Sequence, residues 1–529
     1  MSRKLVVIHP FDPPPGPLKR IPADYLSFTI DTSLLLGGHW WGSAKGIRHG
    51  VSGERTKALD LSDERLRSYA RALAPAMLRI GGTEADRLRY KMGKKPVPGA
   101  AAAEPAAAPG ASRGGELPDD GKGISHEFVL RKGLWKRLHE FLAASGFSLL
   151  FTLSAGPADR DAEGDWKEDN ARRLIAWSRR KKYPVAAWEL GNEVNAFPFI
   201  HGVRSRVSGK RYARDFERFG RMAREAGGRA ALVGPASAVW PRIGEPNPLI
   251  RALCSSPAAA FLDAVSWHWY PQQSSYGRFA TRRATGRNML SARRLDEAFR
   301  RAEKVRASIE LASARRPAGS VTENWVTETA HALYGGEPGL SDTFVSTLWW
   351  LDELGLFARQ GVAKVFRQAL VGARYGLLDQ DSMDPRPDYF ASFLWKKLMG
   401  RLVIPIESAT VGDRKLRVYL HADGPAPAAG RTVLAINLSR RAAAVVASES
   451  PAATGKVARY LLSGDGAFDS RTVLLNGVRA GDDLVFAWKK IAVRDKYRFS
   501  AQKIQADADG VCRIESEIPP LSALFLRFE

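Results

Sequence analysis

AAWELGNEVN, residues 186–195, runs from apolar residues into Gly191, Asn192 and Glu193, directly after a helical pattern at 168–181. A short apolar run that ends in a turn residue reads as a buried strand, and one that follows an amphipathic helix reads as part of a strand–helix repeat. The same texture recurs along the chain. YLSFTID at 25–31 leads; AMLRIGG at 76–82 follows helix 62–73, and SLLFTL at 148–153 follows helix 131–145. AALVGP at 230–235 follows helix 210–226 and AVSWHWY comes at 264–270. NWVTET at 324–329 follows helix 290–314, and VAKVFRQAL at 362–370 follows helix 341–359. Eight strands with interposed helices predict a parallel sheet closed as a (β/α)8 TIM barrel. A doubly wound sheet would place a glycine-rich phosphate turn after its first strand, whereas Asp31 is followed by TSLLLGG.

Outside this repeat the texture changes. Past the barrel, KLRVYLHA, TVLAINLS, VARYLL, TVLLNG and ALFLRF are β-rich runs separated by turn residues, which predicts an antiparallel β-sandwich. KLVVI at 4–8 precedes the Pro-rich connector FDPPPGPLKRIP and is expected to add a strand to that sandwich. The expected domains are 1–20 as the N-terminal strand joining the sandwich, 21–400 as the catalytic barrel, and 401–529 as the sandwich. The Ala/Pro/Gly-rich segment 96–123 has no apolar periodicity and reads as a flexible insertion in the barrel, from which no chemistry is expected.

Composition narrows the function. No apolar run reaches the roughly 18 residues of a membrane span, and the opening MSRKLVVIHPFDPPPG lacks a secretion-signal pattern. Two cysteines, Cys254 and Cys512, exclude a disulfide framework and a CxxC metal site. The net charge of +24 admits two readings, an acidic partner or arginine-rich solvated helix faces, so only basic residues beside a site count as functional evidence. No nucleic-acid-binding motif accompanies the charge. No metal spacing, serine elbow or phosphate loop appears either, so no cofactor and no metal are expected.

Barrel enzymes build their sites at the carboxyl ends of the strands. WELGNEVN ends strand four with Asn192 and Glu193, and NWVTETAHALYGG at 324–336 ends strand seven with Glu328, then Tyr334, Gly335 and Gly336. Two carboxylates at such ends suit glycosidic cleavage, where one hands a proton to the leaving oxygen and the other stays ionised to attack the anomeric carbon. Glu189 and Glu323 are the rivals; the first should point into the barrel layer, and the second sits at the wrong end of its strand. Asn192 is placed to donate to the sugar hydroxyl beside the anomeric centre. SWHWY at 266–270 sets His268 and Tyr270 on one alternating face, suited to holding the nucleophile's carboxylate or, equally, to a buried structural role. RIGGT at 79–83 places Gly82 where it could admit a sugar closely or simply make a turn.

LRIGGTEADRL, WELGNEVN, SWHWY, VTETAHALYGG, LSDTF, WLDELGLFAR and the 365–400 block together resemble glycoside hydrolase family 79, the heparanase family. The resemblance implies a retaining β-glucuronidase with Glu193 as acid/base and Glu328 as nucleophile. It further implies that Asp31, Thr83 and Asn192 contact sugar, that the Tyr334–Gly335–Gly336 backbone receives the glucuronate carboxylate, and that Gln368 and Tyr375 add contacts. It makes His268 and Tyr270 the nucleophile's neighbours. The chain departs from the animal members in three places. Glu84 replaces a lysine, GPASAVWPR lacks an expected glutamine, and no arginine follows SWHWY, with Arg278 the nearest.

Two basic loops, HGVRSRVSGKRYAR after strand four and GRFATRRATGR after strand six, should emerge on the active-site face, with Arg204, Arg206, Lys210 and Arg278 as candidate cleft contacts. The leading expectation is an endo-β-glucuronidase acting on heparan-sulfate-like acidic polysaccharides. It is expected to be a single-chain monomer that binds no nucleic acid, with the substrate class pointing to an extracellular or periplasmic setting. An exo-acting β-glucuronidase is the alternative, and a noncatalytic polyanion-binding protein the third reading.

Overall fold

The computed structural model describes residues 4–12, 16–40, 54–93, 126–241, 247–277, 280–317, 319–406, 414–426, 429–451, 456–499, 502–503 and 511–528. The insertion expected at 96–123 and Arg278 lie outside these residues.

Eight strands close a barrel: β1 (Leu26–Asp31), β2 (Ala76–Gly81), β3 (Phe147–Leu153), β4 (Ala187–Leu190), β5 (Ala231–Val239), β6 (Ala264–Trp269), β7 (Glu323–Thr329) and β8 (Lys364–Arg367). Every neighbouring pair is parallel. The TIM barrel read from the alternating texture is therefore the fold. Period-two alternation explains its interior. Met77, Leu150, Ala187, Val233, Ala264, Trp325 and Phe366, one from each of seven strands, form an apolar plug inside the barrel. The small Ala187 and Ala264 make room for Trp325, as close packing requires. Two residues further along β2, β3 and β4 stand Arg79, Thr152 and Glu189, so the layer above the plug is polar and points toward the carboxyl ends.

The second domain is a nine-stranded antiparallel sheet plus a three-stranded one. Lys4–Ile8 pairs in parallel with Ala444–Pro451 in the smaller sheet, which gives the N-terminal strand the sandwich partner it was expected to have. Lys19–Arg20 pairs with Leu402–Ile404 at the edge of the larger sheet. The helix Phe344–Gln360 lies between the domains and is buried around nearly its whole circumference, as its continuous apolar sequence suits. Asp352 on that helix accepts from Arg417 Nε at 2.7 Å and Tyr419 Oη at 2.5 Å, both on sandwich strand Leu416–Ala422. Arg417 also reaches Asp296 on helix Ala292–Ser313 at 2.8 Å, so one guanidinium ties two barrel helices to the sandwich. The reading from sequence had no element between strands five and six, but a helix, Asn247–Cys254, lies there. No helix among the described residues is long and apolar enough to cross a membrane.

Candidate active site

The carboxyl ends of the strands converge on Glu193 and Glu328. Glu193 follows β4 with a left-handed φ of 51°, a conformation that costs a non-glycine residue energy and marks a position held by its surroundings. Glu328 is the sixth residue of β7. A Glu193 oxygen, a Glu328 oxygen and a His268 ring nitrogen all lie within 4.8 Å of one another, and all three residues are buried.

The two carboxyls have different neighbours. Glu193 Oε1 accepts from Trp240 Nε1 at 3.2 Å and lies 3.1 Å from His268 Nδ1. Burial, and then the charge of Glu328, push its pKa well above the ordinary carboxylic range. Burial also raises Glu328, but Arg79 and the Tyr270 hydroxyl oppose that rise. Arg79 Nη1 donates to Glu328 Oε2 at 2.9 Å, and Tyr270 Oη donates to Oε1. One carboxyl is therefore set to keep its proton while the other has a cation and a hydroxyl stabilising its anion. His268 is held neutral by burial, with Arg79 adding to the effect. Its Nδ1 is nearer Glu193 than Glu328, at 3.1 Å against 3.7 Å, so it does not serve chiefly the carboxylate expected from its place beside Tyr270.

Arg79 organises the floor of the site, and the reading from sequence missed it. It is fully buried and also donates to Glu189 Oε2 at 2.7 Å and to Asn192 Oδ1 at 2.8 Å. The available signal was a lone arginine inside the apolar strand AMLRIG, which burial would make costly without acidic partners. Glu189 is accordingly a barrel-layer partner, further bound by Thr152 Oγ1 at 2.8 Å. Glu323 begins β7 and accepts from Trp325 Nε1 at 2.6 Å, on the strand's opposite end.

Asn192 is held at three points. Its backbone N–H donates to Asp86 Oδ2 at 2.9 Å, and its Oδ1 accepts from Arg79 and from Gly82 N at 3.1 Å. That turns its Nδ2 amino group away from these donors. Asp86, a second residue missed from sequence, also accepts from Ala155 N at 2.8 Å, and burial raises its pKa to about 7. Gly82 adopts φ 89°, and a Cβ there would sit 2.5 Å from Asp31 Oδ1, so a close approach requires this glycine. Asp31 accepts from Gln368 Nε2 at 2.9 Å through each oxygen, which makes Gln368 a support for Asp31. Thr83 starts the short 3-10 helix Thr83–Arg87, and Glu84 beside it is buried, its pKa pushed up to about 7 by burial.

Tyr334, Gly335 and Gly336 take three successive positive φ values, 69°, 81° and 87°. Gly335 O accepts from Arg374 N at 2.8 Å, and a Cβ on Gly336 would press on Tyr375 N at 3.0 Å. Tyr375 belongs to an apolar cluster with Tyr270, Trp240 and Leu333 along the site's wall. The hydrogen bonds thus fall into three groups at the carboxyl ends of the strands: Gly82, Asn192, Glu328 and Tyr270 joined through Arg79, Glu193 with His268, and Asp31 with Gln368. Arg204, Arg206 and Lys210 are exposed in the segment after β4. In the other basic loop Arg282 is tied to Glu297 at 2.6 Å and to Pro271 O at 3.1 Å, so it serves the fold.

Glu193, His268 and Glu328 have donor atoms close enough to hold a cation. Arg79 and Tyr270 already engage both oxygens of Glu328, however, and a guanidinium beside that carboxylate repels a divalent ion.

Residues 29–355 match the model of the glycosyl hydrolase family 79 N-terminal domain. Bos taurus heparanase is 31% identical over 435 residues, covering 77% of this chain and 71% of that protein. A Mus musculus relative named inactive heparanase-2 is 26% identical over 472 residues, covering 77% and 70%. In fold, the chain is similar to a 4-O-α-L-rhamnosyl-β-D-glucuronidase from Fusarium oxysporum, with a TM-score of 0.65 at 14% identity and coverage of 98% of this chain and 100% of the other.

Proposed function

The chain belongs to glycoside hydrolase family 79, and on that premise we propose that it is a retaining endo-β-glucuronidase acting on heparan-sulfate-like polysaccharides. The observation that carries this reading is the unequal pair: two buried carboxyls with oxygens within 4.8 Å, only one of them hydrogen-bonded to a cation. Retaining enzymes need a carboxyl separation of about 5–5.5 Å, because the nucleophile itself must reach the anomeric carbon, whereas inverting enzymes leave roughly 6.5–9.5 Å for a water.

Glu193, protonated, donates to the glycosidic oxygen as that bond breaks, while the Glu328 carboxylate attacks the anomeric carbon and forms a glycosyl ester. Glu193, now ionised, takes a proton from water as the water displaces Glu328, which restores both groups. Asn192 Nδ2 donates to the hydroxyl next to the anomeric carbon, a bond that strengthens as positive charge develops on the ring. The Tyr334–Gly336 turn receives the glucuronate carboxylate on its backbone amides. Arg204, Arg206 and Lys210, exposed beyond β4, offer cations to an acidic chain. The enzyme acts as a monomer and without a cofactor.

The test is digestion of heparan sulfate with sizing of the products, alongside NMR of the first product from an aryl β-glucuronide. Internal fragments and an initial β-anomer are expected. Release of free monosaccharide alone would make the enzyme exo-acting, and an initial α-anomer would replace retention with inversion.

A further inference from the structure

The turn proposed to receive the substrate carboxylate is held by a buried relay of side chains from two loops. After β6, Gln272–Gln273 forms a short strand that pairs in parallel with Ala332–Leu333 after β7. Gln272, His331 and Ser341 are buried, at 2%, 0% and 3% exposure. Gln272 Oε1 accepts from Thr285 N at 3.0 Å, which fixes the amide so that its Nε2 faces His331 Nε2 at 2.8 Å as a donor. His331 Nε2 must then be the acceptor, so the ring proton is on Nδ1, which donates to Ser341 Oγ at 2.8 Å. Ser341 Oγ also accepts from Glu337 N at 2.9 Å, directly after the turn. Burial, with the Arg367 charge adding to it, pushes His331 down to about 3, which agrees with the neutral ring that the bonding requires. The Trp349 ring meets the imidazole edge-on with centroids 6.0 Å apart, which fixes its plane.

The relay therefore starts on one loop and ends at both flanks of Tyr334–Gly336: His331 precedes the turn, and Glu337 N follows it. Three consecutive left-handed residues do not hold such a shape by themselves. We propose that His331 is a positioning residue for carboxylate recognition, its Nδ1–H fixing Ser341 and thereby the Tyr334–Gly336 turn that selects a glucuronide over a neutral glycoside. This rests on the glucuronidase reading above.

The experiment measures kcat and KM of the full chain on an aryl β-glucuronide and on the matching aryl β-glucoside for His331→Ala, His331→Gln and His331→Asn. An asparagine amide reproduces the Nδ1 donor, and a glutamine amide occupies the Nε2 position instead. His331→Ala and His331→Gln should raise KM for the glucuronide roughly tenfold with kcat changed less than about threefold, the loss expected of one buried hydrogen bond. Kinetics on the glucoside should not move, and His331→Asn should stay close to wild type. Ser341→Ala leaves the imidazole in place and carries the same expectation, which covers a failure of His331→Ala to fold. Amide hydrogen exchange over 332–341 should rise in His331→Ala and be restored in His331→Asn. Unchanged KM with unchanged exchange overturns the proposal, as does an equal fall in kcat on both substrates, the mark of general damage. A wild type that cleaves glucoside and glucuronide equally overturns the selection claim through the functional reading, and the exchange data then decide separately whether His331 sets the turn.

Discussion

Replacing Arg79 with methionine tests the organisation of the site most directly. The substitution keeps most of the side-chain volume and removes three hydrogen bonds of 2.7, 2.9 and 2.8 Å to Glu189, Glu328 and Asn192. Both carboxylates would be left buried without their cation, and removing one partner of a buried ion pair costs about 3–5 kcal/mol. The loss must depend on pH. In the variant the Glu328 carboxyl loses the guanidinium that opposes its burial and favours its protonated form, so its folded pKa rises further above that of the unfolded chain. The native state then holds protons that the unfolded state releases, and stability falls as pH rises from the unfolded value toward the raised one. That carboxyl contributes about 1.4 kcal/mol per pH unit across the window. Denaturant unfolding of wild type and variant at pH 5 and pH 7 should show a penalty that is larger at pH 7. Activity should follow the same cause, since raising the pKa of Glu328, the proposed nucleophile, two units above the assay pH leaves about 1% of it ionised and lowers kcat roughly 100-fold. A penalty below about 1 kcal/mol, or one that is equal at both pH values, would refute the view that Arg79 favours the anion of Glu328.

Three other substitutions probe separate parts of the structure. Glu193→Gln should abolish turnover and should also flatten the stability profile, because the raised pKa of Glu193 costs wild-type stability as pH climbs above the ordinary glutamate range; parallel unfolding curves for the two proteins between pH 4.5 and 7 would sink this. Gly82→Ala must place a Cβ 2.5 Å from Asp31 Oδ1 at φ 89°, so a loss of about 1–3 kcal/mol and weaker substrate binding are expected from unfolding and KM measurements. Asp352→Ala removes the acceptor of Arg417 and Tyr419 between barrel and sandwich; thermal unfolding should drop by the equivalent of about 3 kcal/mol while KM at 25 °C stays unchanged.

The barrel was legible because each strand carries an apolar run that the helical period interrupts, and because their count closes a sheet. What escaped has physical reasons. Gln272–Gln273 and Ala332–Leu333 are two-residue strands, too short to show alternation, yet they frame the turn beside the site. The helix Asn247–Cys254 opens with Asn and Pro after a Gly/Pro-containing stretch, so local composition spoke for a loop while the gap above β5 and β6 was filled by a helix packing on Gly209–Glu225. Arg79 escaped because its meaning lies in partners on β4 and β7, more than a hundred residues away in the chain.

The same limit applies to the two glutamates. As residue types they are identical, and strand-end position ranks both above Glu189 and Glu323 without saying which keeps its proton. The difference is made by residues distant in sequence: Arg79 from β2 and Tyr270 from the end of β6 on Glu328, against Trp240 and a neutral His268 on Glu193. Desolvation raises both, and Arg79 opposes that rise at each, but only at Glu328 does it add a direct hydrogen bond, so burial by itself favours two acids and the bonded guanidinium sets one of them apart as the nucleophile of the proposed mechanism. Arg79→Met should therefore blur the distinction between acid and nucleophile rather than simply weaken the site. An Arg79→Lys variant, which returns a charge without the three-pronged geometry, should recover stability at pH 7 more fully than it recovers kcat.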